Sequence, residues 1–237
     1  MMSGKRWGYV VQFFCLLVFL GMSPFLIKMD GRKTMSVSSD SVRSQNVSDE
    51  VKPVVALTFD DGPNVSSTPI LLDGLKERKV RATFFLIGEN VEKDENEKIV
   101  KRMYEEGHLI GNHTYTHCNL SKLETGEAKK ELEQTDTVIE KITGKQPVFV
   151  RAPYGELPVD SEQDLNRIYI GWTVDPLDWM TEDTGAVVKT VVEEINPGDV
   201  ILLHDCYPSS VQAAIRIVDL LQGKGYEFVT VDHLIMD

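Results

Sequence analysis

From Val54 onward, short and mostly apolar runs alternate with longer stretches in which apolar residues return every three or four positions. Continuous apolar runs are the pattern of strands buried on both faces. A 3.6-residue return is the pattern of helices resting one face on a core. Seven runs fit strands: Val54–Phe59, Thr83–Ile87, Leu109–Asn112, Val148–Arg151, Ile168–Val174, Val200–Leu203 and Phe228–Val231. Helix-like stretches at Ile70–Lys79, Glu95–Glu106, Lys122–Ile142, Val187–Ile195 and Val211–Leu221 lie between them. Pro69 suits a first helical turn, and Gly107, Gly144 and Gly223 stand where left-handed helix stops are expected. Ser121-Lys122-Leu123-Glu124 has the form of a capping box opening the helix at 122–142. Only the link from Tyr154 to Arg167 breaks the rhythm, with one short helical candidate at Ser161–Asn166. Such alternation predicts right-handed βα units around a parallel sheet, open or closed, in one α/β domain over residues 52–237.

The first 51 residues follow a different pattern. Lys5-Arg6 precede Trp7–Ile27, a mostly apolar stretch that makes roughly 31 Å of helix against a hydrocarbon core of about 30 Å. Gly21-Met22-Ser23 is the only small-x-small site, and Pro24 and further apolar residues follow it. This favours an uncleaved membrane anchor at 1–27 over a cleaved signal peptide. Residues 28–51, rich in Ser, Asp, Val and Asn without a period, read as a flexible stalk. The expected arrangement is a single-pass protein of the cell membrane whose body is extracytoplasmic. With 37 acidic against 25 basic residues, and a basic surplus before residue 51, that body is strongly acidic. Such a charge disfavours phosphate backbones, and no basic stripe, phosphate loop or internal repeat argues otherwise, so nucleic acid is not an expected partner. A monomer is expected.

The polar exceptions to the apolar runs carry the chemistry. Asp60-Asp61, His113, Arg151, Asp175 with Asp178, and His204 each fall at or just past the end of a different run. In a parallel barrel all those ends meet on one rim. His113 and His117, four apart, would share a face on one helical turn and grip one ion. Adding Asp61 gives two nitrogens and an oxygen with positions left open, as catalytic metals require. Zinc is the default for that set, with cobalt, manganese or nickel also admitted. Taken singly, the same residues admit plainer readings: a solvated Asp-Asp-Gly turn, a rim salt bridge at Arg151, a cap at Asp178, a buried polar histidine at 204. Asp175, His108 and His233 are read as structural.

Thr-Phe-Asp-Asp-Gly-Pro at 58–63, His-Thr-x-x-His at 113–117, Arg-Ala-Pro-Tyr at 151–154, Asp-x-x-Asp-Trp at 175–179 and Leu-Leu-His at 202–204 occur in order. Together they resemble the motifs of the NodB-homology polysaccharide deacetylases, carbohydrate esterase family four, over residues 54 to about 235. The resemblance implies a distorted (β/α) barrel, a divalent metal and removal of acetyl groups from glycans. By motif match it makes Asp60 the general base, and Asp61, His113 and His117 the metal ligands. Arg151 would pair with and aim Asp60, and His204 would be the general acid, oriented and charged by Asp178. The Tyr154 N–H would meet the oxyanion, and Trp179 and Leu202 would wall the acetyl slot. The tethered body points to cell-wall glycan, N-acetylglucosamine of peptidoglycan first. Chitin oligosaccharides, muramic acid and acetylxylan are alternative substrates, and a glycan-binding protein without turnover is the alternative of a different class. Ala152 stands where the family often has Pro. Cys118 and Cys206 admit a disulfide if their Cα atoms lie within about 7 Å, although no other cysteine framework supports one.

Overall fold

The computed structural model describes residues 52–93, 95–159, 161 and 166–236. Its centre is a parallel sheet in the order β5-β4-β3-β2-β1-β6, with β7 also paired to β1. The strands are β1 (Val54–Asp60), β2 (Thr83–Leu86), β3 (Leu109–Asn112), β4 (Phe149–Val150), β5 (Ile168–Tyr169), β6 (Val200–His204) and β7 (Glu227–Val229). The helices are α1 (Thr68–Glu77), α2 (Gly88–Val91), α3 (Asn96–Glu105), α4 (Thr125–Thr143), α5 (Thr184–Glu194), α6 (Pro208–Gly223) and α7 (Val231–Met236). All five expected helices are present within a few residues; α2 and α7 are additional.

Each long helix forms for a visible reason. In α1, Leu71, Leu72 and Leu75 are buried on one face and Pro69 occupies the first turn. In α4, Ala128, Leu132, Thr135 and Ile139 share a buried stripe, and the helix stops at Gly144 with φ 71°. The expected capping box does not open α4. Asn119 instead caps a 3-10 turn at Leu120–Lys122, its side chain accepting from the Ser121 N–H, and the α-helix begins at Thr125.

The strands face two different interiors. One face of β1 and its neighbours, including Val55, Leu57, Phe59, Phe84, Ile201 and Leu203, packs beneath the helices in the main core. The opposite face carries Ala56, Phe85 and Phe149, closed from below by Val231 of α7. Full burial of each Val, Leu, Ile or Phe among these contributes about 1.5–3 kcal/mol. Gly111 makes the inner packing possible, because a Cβ there would lie 2.5 Å from the Phe85 ring.

The expected strand at 168–174 divides. Ile168 and Tyr169 pair with β4, after which the chain crosses over and Val174 bridges Ile201 of β6. One short segment thus touches both edges of the sheet and curls it into a half-barrel. Its switch of partners breaks the ladder between residues 169 and 174 that a continuous apolar run suggests. The helical candidate at 161–166 and the anchor and stalk at 1–51 fall wholly or largely outside the described residues. Among the described residues no helix is long and apolar enough to cross a membrane.

Candidate active site

Asp60 ends β1 in register with His204, the last residue of β6. Residues paired across parallel strands point to the same side, so both side chains turn inward at the carboxyl end of the sheet. Asp60 is 3% exposed, and Arg151, just past β4, is 1% exposed. The Arg151 Nη1 donates to Asp60 Oδ1 at 2.8 Å and to Thr58 Oγ1 at 2.7 Å. Its Nη2 donates to the Gly171 carbonyl at 2.9 Å, and its guanidinium lies 4.2 Å from the Phe85 ring centre. Burial, the largest influence, lowers the Arg151 pKa, and Asp60 opposes that shift. Every contact fixes the carboxylate with one oxygen on Arg151 and the other, Oδ2, 3.7 Å from His113 Nε2.

Asp61 points elsewhere because its backbone is left-handed, with φ 70°. Its Oδ1 lies 3.5 Å from His113 Nε2 and 3.3 Å from His117 Nε2. The two histidines are not on a helical turn. They lie on an irregular loop in which Thr114 and His117 have φ 65° and 58°. Helix geometry is replaced by tertiary anchors. Glu131 of α4 accepts from the N–H groups of Tyr115 at 3.0 Å and Thr116 at 2.8 Å. Asn112 donates to Asp136 and the Leu132 carbonyl while accepting from the Thr114 N–H.

This loop presents the residues a divalent ion requires. His113 Nδ1 is 2.6 Å from the Arg151 carbonyl. A carbonyl can only accept, so Nδ1 carries the proton and Nε2 offers its lone pair inward. The buried Asp61 Oδ1 has no hydrogen-bond partner, an expensive arrangement for a carboxylate oxygen unless a cation meets it. One ligand atom from each of Asp61, His113 and His117 lies within 4.8 Å of the others. Burial is the largest influence on His117 and lowers its pKa, favouring the neutral form that ligates.

On the other flank, His204 Nδ1 is 2.8 Å from Asp178 Oδ1, and the other oxygen of Asp178 accepts from the His204 N–H at 2.8 Å. Burial acts most strongly on this imidazole and opposes its charge. The Asp178 hydrogen bond and the charges of Asp178, Asp60 and Asp61 outweigh it, so its pKa rises to about 9. Tyr154 adopts φ 62° in a 3-10 turn at Pro153–Gly155, and its hydroxyl lies 3.3 Å from His117 Nδ1. Trp179 follows Asp178 and is 53% exposed, whereas Leu202 is 4% exposed two residues before His204 on the same strand face.

Asp175 does not join the cluster; it accepts from the Leu177 N–H in a local turn. His108 accepts from the Ala82 N–H, and burial drives its pKa down to about 4. His233 bonds Thr230 and Asp232 near the chain end. All three fit the structural roles read from sequence. Cys118 and Cys206 are separate free thiols, and burial pushes Cys206 up to about 12.

Asp205 was not legible as a site residue. It is wholly buried, and burial raises its pKa to about 7 against the Thr68 hydrogen bond. Its carboxylate accepts from Thr68 Oγ1 and lies so close under Gly62 that a Cβ there would come within 2.5 Å. It thereby supports the turn that aims Asp60 and Asp61. Only its place beside His204 hinted at this, since the contact to Gly62 spans distant segments.

Residues 48–170 match the family model described as polysaccharide deacetylase. The chain belongs to the polysaccharide deacetylase family. It is 42% identical over 190 residues to a peptidoglycan-N-acetylglucosamine deacetylase of Bacillus cereus, covering 77% of this chain and 68% of that protein. It is also 39% identical to the peptidoglycan-N-acetylmuramic acid deacetylase PdaC of Bacillus subtilis, spanning only 41% of that longer protein. The solved structure of PdaC superposes with a TM-score of 0.74, covering 78% of this chain and 90% of that one. A family 4 acetyl xylan esterase from Clostridium thermocellum, solved with a cobalt ion, superposes with a TM-score of 0.72 at 33% identity, covering 76% of this chain and 89% of that one. This polysaccharide deacetylase fold is the curled parallel sheet described above.

Proposed function

We propose that the chain hydrolyses N-acetyl groups of cell-wall glycan, with N-acetylglucosamine of peptidoglycan as the sugar attacked. The observation that carries this reading is the unpartnered Asp61 Oδ1 facing two imidazole Nε2 atoms, with Asp60 on Arg151 and His204 on Asp178 beside it. The names of the Bacillus cereus and Bacillus subtilis relatives support a peptidoglycan substrate, and the Bacillus cereus relative favours the glucosamine unit.

Asp61, His113 and His117 would hold a divalent ion, zinc by the two-nitrogen, one-oxygen donor set. When bound there, such an ion supplies Lewis acidity, which acidifies water and polarises an acyl carbonyl at neutral pH. Asp60 accepts the proton of the attacking water at Oδ2, because Arg151 occupies Oδ1. The Tyr154 N–H, held in a left-handed turn, donates to the developing oxyanion. His204, kept protonated by Asp178, delivers a proton to the departing sugar nitrogen. Trp179 and Leu202 close around the acetyl methyl group. Residues 7–27 anchor the full chain in the cell membrane as a single pass, the stalk 28–51 carries residues 52–237 outside the cytoplasm, and the protein acts as a monomer.

Acetate release from purified peptidoglycan by the zinc-loaded chain tests the reaction, with mass analysis of the products assigning the sugar. Acetate should appear, stop with chelator, and fall about 100-fold or more in Asp60→Asn. Deacetylated muramic acid, chitin units or xylan as the main product would reassign the substrate. Metal and glycan binding without any acetate would leave a binding protein.

A further inference from the structure

The single helical turn α2 is not announced by the apolar pattern, yet it touches both segments that carry Asp61, His113 and His117. On one side the N–H groups of Gly88 and Glu89 donate to the carbonyls of Thr114 and Tyr115, each at 3.0 Å. Both carbonyls belong to the loop between the two histidines. Gly88 lets helix and loop meet, since a Cβ there would collide with the Tyr115 ring. On the other side three successive carbonyls of the turn after β1 are met. Asn90 Nδ2 donates to the Asp61 carbonyl at 2.7 Å, the Ile87 N–H to that of Gly62 at 3.1 Å, and Asn96 Nδ2 to that of Pro63 at 3.2 Å. Asn96 Nδ2 also donates to the Asn90 carbonyl at 2.6 Å, tying the end of α2 to the same turn. A carbonyl only accepts, so the nitrogen of the Asn90 amide faces Asp61, and its oxygen is met by Lys93 Nζ.

We propose that α2 is a clamp that sets Asp61 against the two histidines, with Asn90 the positioning residue that holds Asp61 in its ligating conformation. The inference rests on reading Asp61, His113 and His117 as the metal site. Asp61 needs such a hold. Its φ of 70° is a left-handed backbone, which a residue with a Cβ keeps only where its surroundings over-determine it. Its side chain offers no anchor at Oδ1, which has no hydrogen-bond partner. The constraint therefore comes through the backbone, and Asn90 bonds the carbonyl of Asp61 itself. Glu131 shapes the histidine loop alone, whereas α2 bonds both loops and fixes one relative to the other.

The test compares the chelator-treated full chain as wild type, Asn90→Ala, Asn90→Leu and Lys93→Ala. Zinc affinity is read by competition with a chromophoric chelator, and the visible spectrum of the cobalt-loaded chain reports how the ligands are arranged. Asn90→Ala should weaken zinc about 10- to 100-fold and alter the cobalt bands. Asn90→Leu, which keeps the volume of the side chain without a donor, should do the same. Lys93→Ala, which removes the other contact of the amide, should match wild type, and melting temperatures should stay close throughout. Wild-type affinity in Asn90→Ala would overturn the clamp, and so would recovery of affinity in Asn90→Leu. A lowered melting temperature with an unchanged cobalt spectrum would also overturn it, leaving Asn90 a merely structural residue. Amide exchange in the metal-free chain reads the clamp without any ion: the Ile87, Gly88 and Glu89 N–H groups should exchange faster in Asn90→Ala than in wild type. Should the wild type hold neither zinc nor cobalt, the metal reading fails, while faster exchange still supports the clamp and unchanged exchange refutes it.

Discussion

At the residue scale the site depends on two buried carboxylates, each held by a fixed partner. Asp60 gives Oδ1 to Arg151, and Asp178 gives both oxygens to His204, one to the ring and one to the backbone. The consequence is clearest for His204. Its pKa near 9 means that it is protonated across neutral pH and loses its proton, and with it the capacity to act as an acid, only as pH rises towards that value. Asp178→Asn removes the charge that holds the proton and leaves burial to act in the opposite direction. The alkaline limb of the kcat profile should therefore move to lower pH in this variant, with kcat at pH 8 falling about 10- to 100-fold. An unshifted alkaline limb would show that the acid lies elsewhere. Sequence carried these residues well, because each sits at the end of an apolar run where a charge needs a reason. It carried Asp205 poorly, since its role comes from a contact under Gly62 that no local pattern encodes.

At the scale of elements, the segment 113–117 shows where sequence reading stops. The i, i+4 spacing of His113 and His117 suggested a helical turn, yet Thr114 and His117 adopt left-handed backbones. The convergence of the rings was legible, but its local cause was not. The conformation is imposed by Glu131, whose carboxylate accepts two loop N–H groups from a helix more than a dozen residues away in sequence. Glu131 touches neither ion nor substrate and acts by positioning. Glu131→Ala should weaken zinc affinity about 10- to 100-fold, read by competition with a chromophoric chelator, while leaving the melting temperature nearly unchanged. Unaltered affinity would show that the loop holds its shape without this anchor. The same limit applies to the 3-10 turn at Leu120–Lys122, where Asn119 outcompeted the capping box as the local cap.

At the scale of the whole molecule, a curled parallel sheet brings residues from β1, β3, β4 and β6 to one rim. The alternating pattern sufficed to predict the five longer helices, the position of most strands and the rim, but not α2 or α7. It did not predict that 168–174 would serve both edges, because a partner switch leaves no periodicity behind. Arg151 links that closure to the chemistry: it ties β1 through Thr58 and Asp60 to the crossing segment through the Ile170 and Gly171 carbonyls. Arg151→Met would leave Asp60 buried without its partner. Chemical denaturation should show a loss of about 3–5 kcal/mol, well beyond that of an exposed ion pair. A loss below about 1 kcal/mol would mean that Arg151 aims Asp60 without holding the sheet together. The central claim, that Asp61, His113 and His117 grip one ion, is tested most directly by titrating the chelator-treated full chain with zinc, in wild type and in Asp61→Asn and His113→Asn. One tightly held ion per chain in the wild type, weakened by orders of magnitude in both variants, is the predicted result; equal zinc binding by all three proteins, or none by the wild type, would contradict it.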